Sequence, residues 1–193
     1  MMKKKKKKGK LVVITAPSGT GKSSLIKHVR ERYPHVRESV SFTSRPMRPG
    51  EKEGVDYYYI DKKKFEQKIS DGDFLEWALV HGDYKGTDAK QIQKYLQEGV
   101  HMLFDLDVQG ADAIRKMFND DARIIFIEPP SFEELEKRLR GRNTETEEKI
   151  QMRLENARKE LKRKNDYDHL ITNDEIEKAL ERLTKIINDI IGQ

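Results

Sequence analysis

The sequence predicts an α/β fold: a parallel five-stranded sheet flanked by helices, interrupted by a β-rich lobe and by a charged helical hairpin. Three observations carry that prediction. An apolar run, Leu11-Val12-Val13-Ile14-Thr15, leads straight into a glycine-rich turn and then into a helical pattern from Ser24 to Arg32. Apolar runs and helical patterns go on alternating to the end of the chain. Two stretches, about 36–87 and 130–164, break the alternation with a different composition.

Leu11–Thr15 is apolar on both faces, as a strand in a helix-covered parallel sheet requires. Between it and the first helix lies Ala16-Pro17-Ser18-Gly19-Thr20-Gly21-Lys22-Ser23, followed by Ser24. Strand, glycine loop, Lys-Ser and helix together make a phosphate cradle: loop N–H groups and the helix N-terminus converge on phosphate oxygens. Lys22 would reach the β- and γ-phosphates, and the Ser23 hydroxyl would sit on Mg²⁺. Ala16 stands where the strict pattern has Gly, and it fits if its φ is negative. Tyr33-Pro34 ends the helix.

From Val36 to Ile60 short strand-like pieces (Val40, Phe42, Tyr57-Tyr58-Tyr59) are broken by Pro46, Pro49, Gly50 and Gly54. Arg45 and Arg48, three apart in a proline-pinned loop, can point at one anion. Taken alone, such a pair is more often two solvated surface side chains. Asp61–Ser70 reads as a short helix, Phe74–Val80 as a strand containing Glu76, His81–Thr87 as a turn, and Ala89–Gln97 as a helix. By alternation alone Glu76 points to solvent.

The core pattern returns with Met102-Leu103-Phe104-Asp105-Leu106-Asp107. Acids at a strand's carboxyl end, downstream of a phosphate loop, are placed to hold the water shell of Mg²⁺, here through Asp105. Helix Val108–Phe118 and strand Ala122–Ile127 follow. Ser131 with Glu134, and Thr144 with Glu147, are capping boxes opening two helices, to Arg140 and over Glu145–Lys164. The second has only a narrow apolar seam, Ile150, Leu154, Ala157 and Leu161, which suits a mobile lid. Arg138, Arg142 and Arg153 would meet a triphosphate if that hairpin closes, with pairing to Glu145, Glu147 or Glu148 as the alternative. Strand His169–Thr172 and the striped helix Glu175–Ile191 complete the fold.

Composition bounds the rest. The 193 residues are 38% charged with no apolar run of membrane length, so the expectation is a soluble protein without membrane partners. There is no Cys, and the five histidines lack metal-ligand spacing. Lys3 to Lys8 account for six of the positive charges, leaving the remainder one charge negative although the chain totals +5. Residues 1–10 therefore read as a disordered basic tail, solvated rather than a specific nucleic-acid site. No apolar h-region follows the lysines, so the N-terminus does not read as a secretory signal and a cytoplasmic location is the default.

Two anion sites on separate lobes suggest that donor and acceptor both carry phosphate. The acceptor oxygen is then already ionised, and catalysis reduces to positioning and cationic screening. Beyond that, the stretches Ala16–Ser24, Ser41–Tyr57, Phe74–Thr87, Asp105–Gly110, Pro129–Ser131, Gly141–Glu148 and Thr172–Asp174 resemble the guanylate kinases, in order and at matching spacing. The resemblance implies a P-loop kinase core (11–35, 88–129 and 165–193), a GMP-binding lobe (36–87) and a lid (130–164). It implies Mg²⁺-dependent transfer of the ATP γ-phosphate to GMP, and to dGMP, in purine nucleotide metabolism; a homo-oligomer is compatible with it. It places Arg45, Arg48 and Tyr57 with the GMP phosphate, Ser41, Glu76, Thr87 and Asp107 at the guanine or its surroundings, and Tyr84 and Lys85 within the same GMP-binding set. Lys22, Arg138, Arg142 and Arg153 would act on the triphosphate, Arg45 would join them in catalysis, and Asn173 would lie near the ATP base. A carboxylate such as Glu76 can accept guanine N1–H and N2–H₂ together, a donor pair adenine lacks.

Three positions depart from the family pattern. Lys85 replaces the second tyrosine of a Tyr-Tyr-Gly motif and is expected to replace its phenol as a phosphate ligand. Phe42 stands where a smaller residue is common, and Asn143 where many members have Gly. A non-catalytic phosphopeptide-binding module of the same fold, or a kinase for another monophosphate, is the alternative; the intact Lys-Ser loop and the lack of attached modules weigh against the former.

Overall fold

The computed structural model describes residues 7–80, 82–141 and 146–192. The chain forms two compact units, one of Lys10–Val36 with Leu103–Gln193, the other of Arg37–Met102 with the chain's start up to Gly9. The elements run β1 (Leu11–Thr15), α1 (Lys22–Arg32), β2 (Arg37–Glu38), β3 (Phe42–Thr43) and β4 (Tyr58–Tyr59). Next come α2 (Lys62–Ser70), β5 (Phe74–Val80), β6 (Asp83–Asp88), α3 (Ala89–Gln97) and β7 (Met102–Leu106). Then follow α4 (Val108–Phe118), β8 (Ala122–Glu128), α5 (Phe132–Arg140), α6 (Glu147–Leu161), β9 (His169–Thr172) and α7 (Ile176–Ile191).

The expected five-stranded sheet has the order β2-β7-β1-β8-β9, with β1–β8 and β8–β9 paired in parallel. Every residue of β1 is buried, as its unbroken apolar run requires. In the larger unit Leu25, Ile26 and Val29 of α1 pack with Ala179, Leu183 and Ile187 of α7 on Val12, Ile14, Ile125 and Ile127. Each fully buried aliphatic there contributes about 1.5–3 kcal/mol over leaving it in water. The stripe read on α7 is thus its core face, except that Ile176 at its start is exposed.

Helices α5 and α6 share a small core of Leu135, Leu139, Ile150, Leu154 and Ala157. They belong to the larger unit rather than forming one of their own. Ser131 caps α5 by accepting from Glu134 N, but the Glu134 carboxylate turns to Arg138 instead of back to the cap. Helix α6 begins after Thr146, two residues later than its pattern suggested. The Thr144 box, Arg142 and Asn143 lie outside the described residues.

The smaller unit is organised by a four-stranded sheet, β4-β3-β6-β5. The stretch expected as a turn up to Thr87 is largely strand β6. It holds Asp83, Lys85, Gly86 and Asp88, poor strand formers, but pairing with β3 on one side and β5 on the other overrides propensity. Helix α3, expected with the core, belongs to this unit. Ala89 N donates to Asp73 O, and Lys90 lies 2.6 Å from the Asp73 carboxylate. Of the basic tail, residues 1–6 lie outside the described residues. Gly9 N donates to Leu96 O, and Lys10 holds Asp120 O and the Asp121 carboxylate, so the chain is already anchored there.

Candidate active site

The loop from Ala16 to Gly21 gets its shape from two left-handed glycines, Gly19 (φ 92°) and Gly21 (φ 89°). A side chain at either would be strained, and there is no room for one. A Cβ on Gly21 would come within 2.4 Å of Asn173 Nδ2, and one on Gly19 within 2.9 Å of Leu139 Cδ2. Ala16 is buried and is not among the positive-φ residues, so its methyl is accommodated as expected. The Thr20 hydroxyl donates to Pro17 O and closes the turn. Helix α1 starts at Lys22, and Lys22, Ser23 and Ser24 of its first turn line the cavity beside the loop. Ala16 to Ser24, Asp107 and Glu160 line a cavity of about 390 Å³.

The charged groups around this cavity are already engaged. Lys22 Nζ lies 2.7 Å from Asp105 Oδ1 and donates to Leu106 O at the end of β7. Arg138 pairs with Glu134 and donates weakly to the carbonyls of Thr20 and Asn173, so it stands behind the loop. Arg153 donates to the Ser18 hydroxyl at 3.1 Å. Asp107 caps α4 by accepting from Gly110 N. Glu160, which the sequence reading missed, is half-buried; burial, with Asp107 nearby, pushes its carboxyl up while Lys22 draws it down. Its signal was its place two turns beyond Arg153 on the same face of α6.

Asn173, expected near the ATP base, turns its amide nitrogen to the loop. It is buried, and its Nδ2 donates to Thr20 O at 2.6 Å. Its role in the fold is to brace the loop carbonyl between the two left-handed glycines.

In the smaller unit, strand alternation sorts one sheet into two faces. Phe42, Phe74 and Tyr84 share a face with Phe65 of α2, where Tyr84 stacks on Phe65 with ring centroids 5.1 Å apart. Tyr84, expected in the GMP-binding set, therefore belongs to the packed face, opposite the one that carries Lys85. The opposite face carries Thr43, Glu76, Lys85 and Thr87, with Tyr57 and Tyr59 alongside. Glu76 and Thr87 are directly opposed in register, and the Thr87 hydroxyl donates to Glu76 Oε1 at 2.7 Å. Glu76 is exposed, as alternation predicted, but oriented. Lys85 Nζ donates to Tyr57 Oη at 3.3 Å and lies over the same ring. Arg45 lies over Tyr57 and Tyr59, and Arg48 is exposed. Ser41 is half-buried and gives its carbonyl to Tyr58 N.

Glu51 ties this face together, and neither it nor Tyr59 was singled out from the sequence as a site residue. Its carboxylate accepts from Arg45 Nη2, from Arg48 N and from the Tyr59 hydroxyl. Those hydrogen bonds, Arg45's foremost, hold its pKa down to about 2. Burial and the Glu51 carboxylate push Tyr59 up to about 12, so its phenol remains a donor. The signal was an acid closing the Arg-x-x-Arg-Pro-Gly-Glu run.

A strand-fed glycine loop ending in Lys-Ser, on a parallel sheet with acids at a neighbouring strand's carboxyl end, defines a P-loop phosphotransferase. The guanylate kinase family description matches residues 8–190. The chain is 48% identical to a guanylate kinase of Fusobacterium nucleatum over 94% of this chain and 97% of that one. It is 47% identical to one of Syntrophotalea carbinolica, over 94% and 86% respectively. A crystal structure of guanylate kinase from Anaplasma phagocytophilum matches with a TM-score of 0.62 at 33% identity, over 95% of this chain and 87% of that one. The chain belongs to the guanylate kinase family, enzymes that transfer phosphate from ATP to GMP. No helix among the described residues is long and apolar enough to cross a membrane.

Proposed function

We propose that the chain binds ATP at Ala16–Ser24 and GMP on the polar face of the Arg37–Met102 sheet, and passes the γ-phosphoryl group between them. No general base is needed, because the GMP phosphate oxygen is already an anion. The requirement is to hold two like-charged groups in line. Loop N–H groups and Lys22 take the triphosphate. Arg138 and Arg153 add positive charge beside it, as would Arg142, which lies outside the described residues. Arg45, Arg48, Tyr57 and Lys85 take the acceptor phosphate. Glu76, set by Thr87, accepts the guanine N1–H and N2–H₂, with Ser41 at its margin. A deoxyribose leaves both recognition elements intact, so dGMP is a second acceptor, and the purine nucleotide pool of the cytoplasm is the setting.

The oxygen-only chemistry of Ser23 and Asp105 suits Mg²⁺. Among the described residues no group of three or more His, Cys, Asp or Glu could hold a metal, so the phosphates must supply most ligands. When bound there, Mg²⁺ neutralises triphosphate charge; Ser23 would hold it directly and Asp105 through water.

The observation that carries this reading is one sheet face holding both an anion site, Arg45 with Tyr57 and Lys85, and an oriented carboxylate, Glu76. Coupled ADP release with ATP and each of GMP, dGMP, AMP, CMP and UMP tests it. Strong preference for GMP is expected, and Glu76→Gln should lower kcat/KM for GMP by about 10²-fold with AMP little affected. Comparable wild-type rates with AMP would overturn the assignment.

A further inference from the structure

Arg45 and Lys85 flank the Tyr57 ring, with the guanidinium carbon 5.6 Å and the ammonium 5.1 Å from its centroid. They are not electrostatic equals. Arg45 Nη2 lies 2.7 Å from Glu51 Oε1, and its Nη1 donates to Pro46 O, so a full negative charge offsets its own. The other Glu51 oxygen accepts from Arg48 N at 2.7 Å and from the Tyr59 hydroxyl at 2.8 Å. One carboxylate thus fastens both ends of the Arg45–Arg48 loop and ties that loop to β4. Lys85 is half-buried on β6 and, among the described residues, has no carboxylate partner. Its ammonium faces a phenol oxygen and an aromatic ring, neither of which cancels a unit charge.

We infer that two residues divide the acceptor-phosphate site between them: Glu51 is a positioning residue that fixes Arg45 and the Arg48 backbone, and Lys85 supplies the net positive charge. This rests on the reading that the Arg37–Met102 unit takes GMP. An approaching phosphate meets in Arg45 a neutralised but oriented fork, useful at hydrogen-bond range. Attraction beyond that range falls to Lys85, with exposed Arg48 contributing more weakly through solvent. Such attraction is screened by salt, whereas orientation is not.

The test is steady-state kinetics with ATP and GMP across a salt series, for wild type, Lys85→Met, Lys85→Arg and Glu51→Gln, with inorganic phosphate as a competing probe against GMP. Lys85→Met should raise KM for GMP about ten- to a hundredfold. It should leave kcat within a few fold, weaken inhibition by inorganic phosphate, and flatten the rise of KM with salt. Lys85→Arg should recover most of this. Glu51→Gln removes a negative charge beside the phosphate, so a purely electrostatic role predicts a lower KM. A positioning role predicts the opposite, a higher KM with a lower kcat, because one amide cannot accept all three donors. Should Glu51→Gln fail to fold, Tyr59→Phe, which deletes one donor to the same carboxylate, should move KM in the same direction by less. Unchanged KM and salt slope in Lys85→Met, or a lower KM in Glu51→Gln, would overturn the inference while wild-type transfer to GMP left the functional reading standing. Wild-type transfer to AMP as readily as to GMP would instead remove the reading it rests on.

Discussion

At Ala16–Ser23 the proposed anion receptor is backbone, shaped by two glycines at φ near +90° and braced from behind by Asn173, Leu139 and Arg138. In the Arg37–Met102 unit it is side chains, contributed by a loop and by β6 and mounted on one face of a sheet whose other face is packed with Phe42, Phe65 and Phe74. A backbone receptor accepts any phosphate chain and has little to lose by side-chain change at its surface. It fails at once if its conformation is denied. A side-chain receptor can be retuned one residue at a time, as Tyr-Lys-Gly at Tyr84–Gly86 shows, because each contact stands on its own strand position.

The sharpest way to break the first region is therefore Gly21→Ala. The methyl must adopt φ near +89° and enter space within 2.4 Å of Asn173 Nδ2. The left-handed conformation alone costs about 1–2 kcal/mol. A loop displaced by even part of an ångström should lower kcat/MgATP KM by about 10²-fold or more. Kinetics with varied ATP, beside a GMP-binding titration, check this: GMP affinity should stay as in wild type. Equal loss at both substrates would show that the two receptors do not depend on separate structural devices.

The same contrast explains what could be read from the sequence. The loop was legible because its determinants are contiguous and its glycines mark positions only glycine tolerates. The burial of β1, the faces of α1 and α7 and the Ser131 cap were legible for similar local reasons. Glu51 was not, since its meaning lies in three donors gathered by a turn that no periodicity announces. The separation of Tyr84 from Lys85 was not legible, because adjacent residues on a strand point to opposite faces and the composition of 81–87 predicts a turn, where that rule does not apply. The resemblance puts Asn173 near the ATP base, but no local pattern announces that its buried amide serves the loop carbonyl across a separation of 153 residues.

A smaller effect should come from the smaller unit's supporting charges, away from its polar receptor face. Asp73 is buried between Lys68 and Lys90, and hydrogen bonding from Lys90, then Lys68, draws its pKa below 3.8. A carboxyl lowered in the folded state contributes stability above its unfolded pKa, and that contribution is lost as pH falls through the lowered folded value. Asp73→Asn should lower Tm by about 2–4 °C at pH 7. The gap from wild type should close as pH drops below about 4. Differential scanning calorimetry from pH 3 to pH 7 is the measurement, and a gap that stays constant across that range would show the ion pairs to be idle. ATP affinity should be unaffected at pH 7, since none of these groups belongs to the loop's unit.

The smallest effect is expected at the position that looked most like a defect. Ala16 occupies the first place of the loop, where the strict pattern has Gly, and it is buried with a φ outside the left-handed range. Nothing in its conformation requires glycine, so Ala16→Gly should not improve ATP binding. It removes a packed methyl and gives the unfolded chain more freedom, which together cost about 0.5–1 kcal/mol. Kinetic constants within about twofold of wild type, with a Tm lower by about 1–4 °C, are the expected result. A gain in kcat or in ATP affinity would mean that the methyl strains the receptor. The backbone region would then be tunable by side chain after all, which would erase its main difference from the sheet face proposed to take the acceptor.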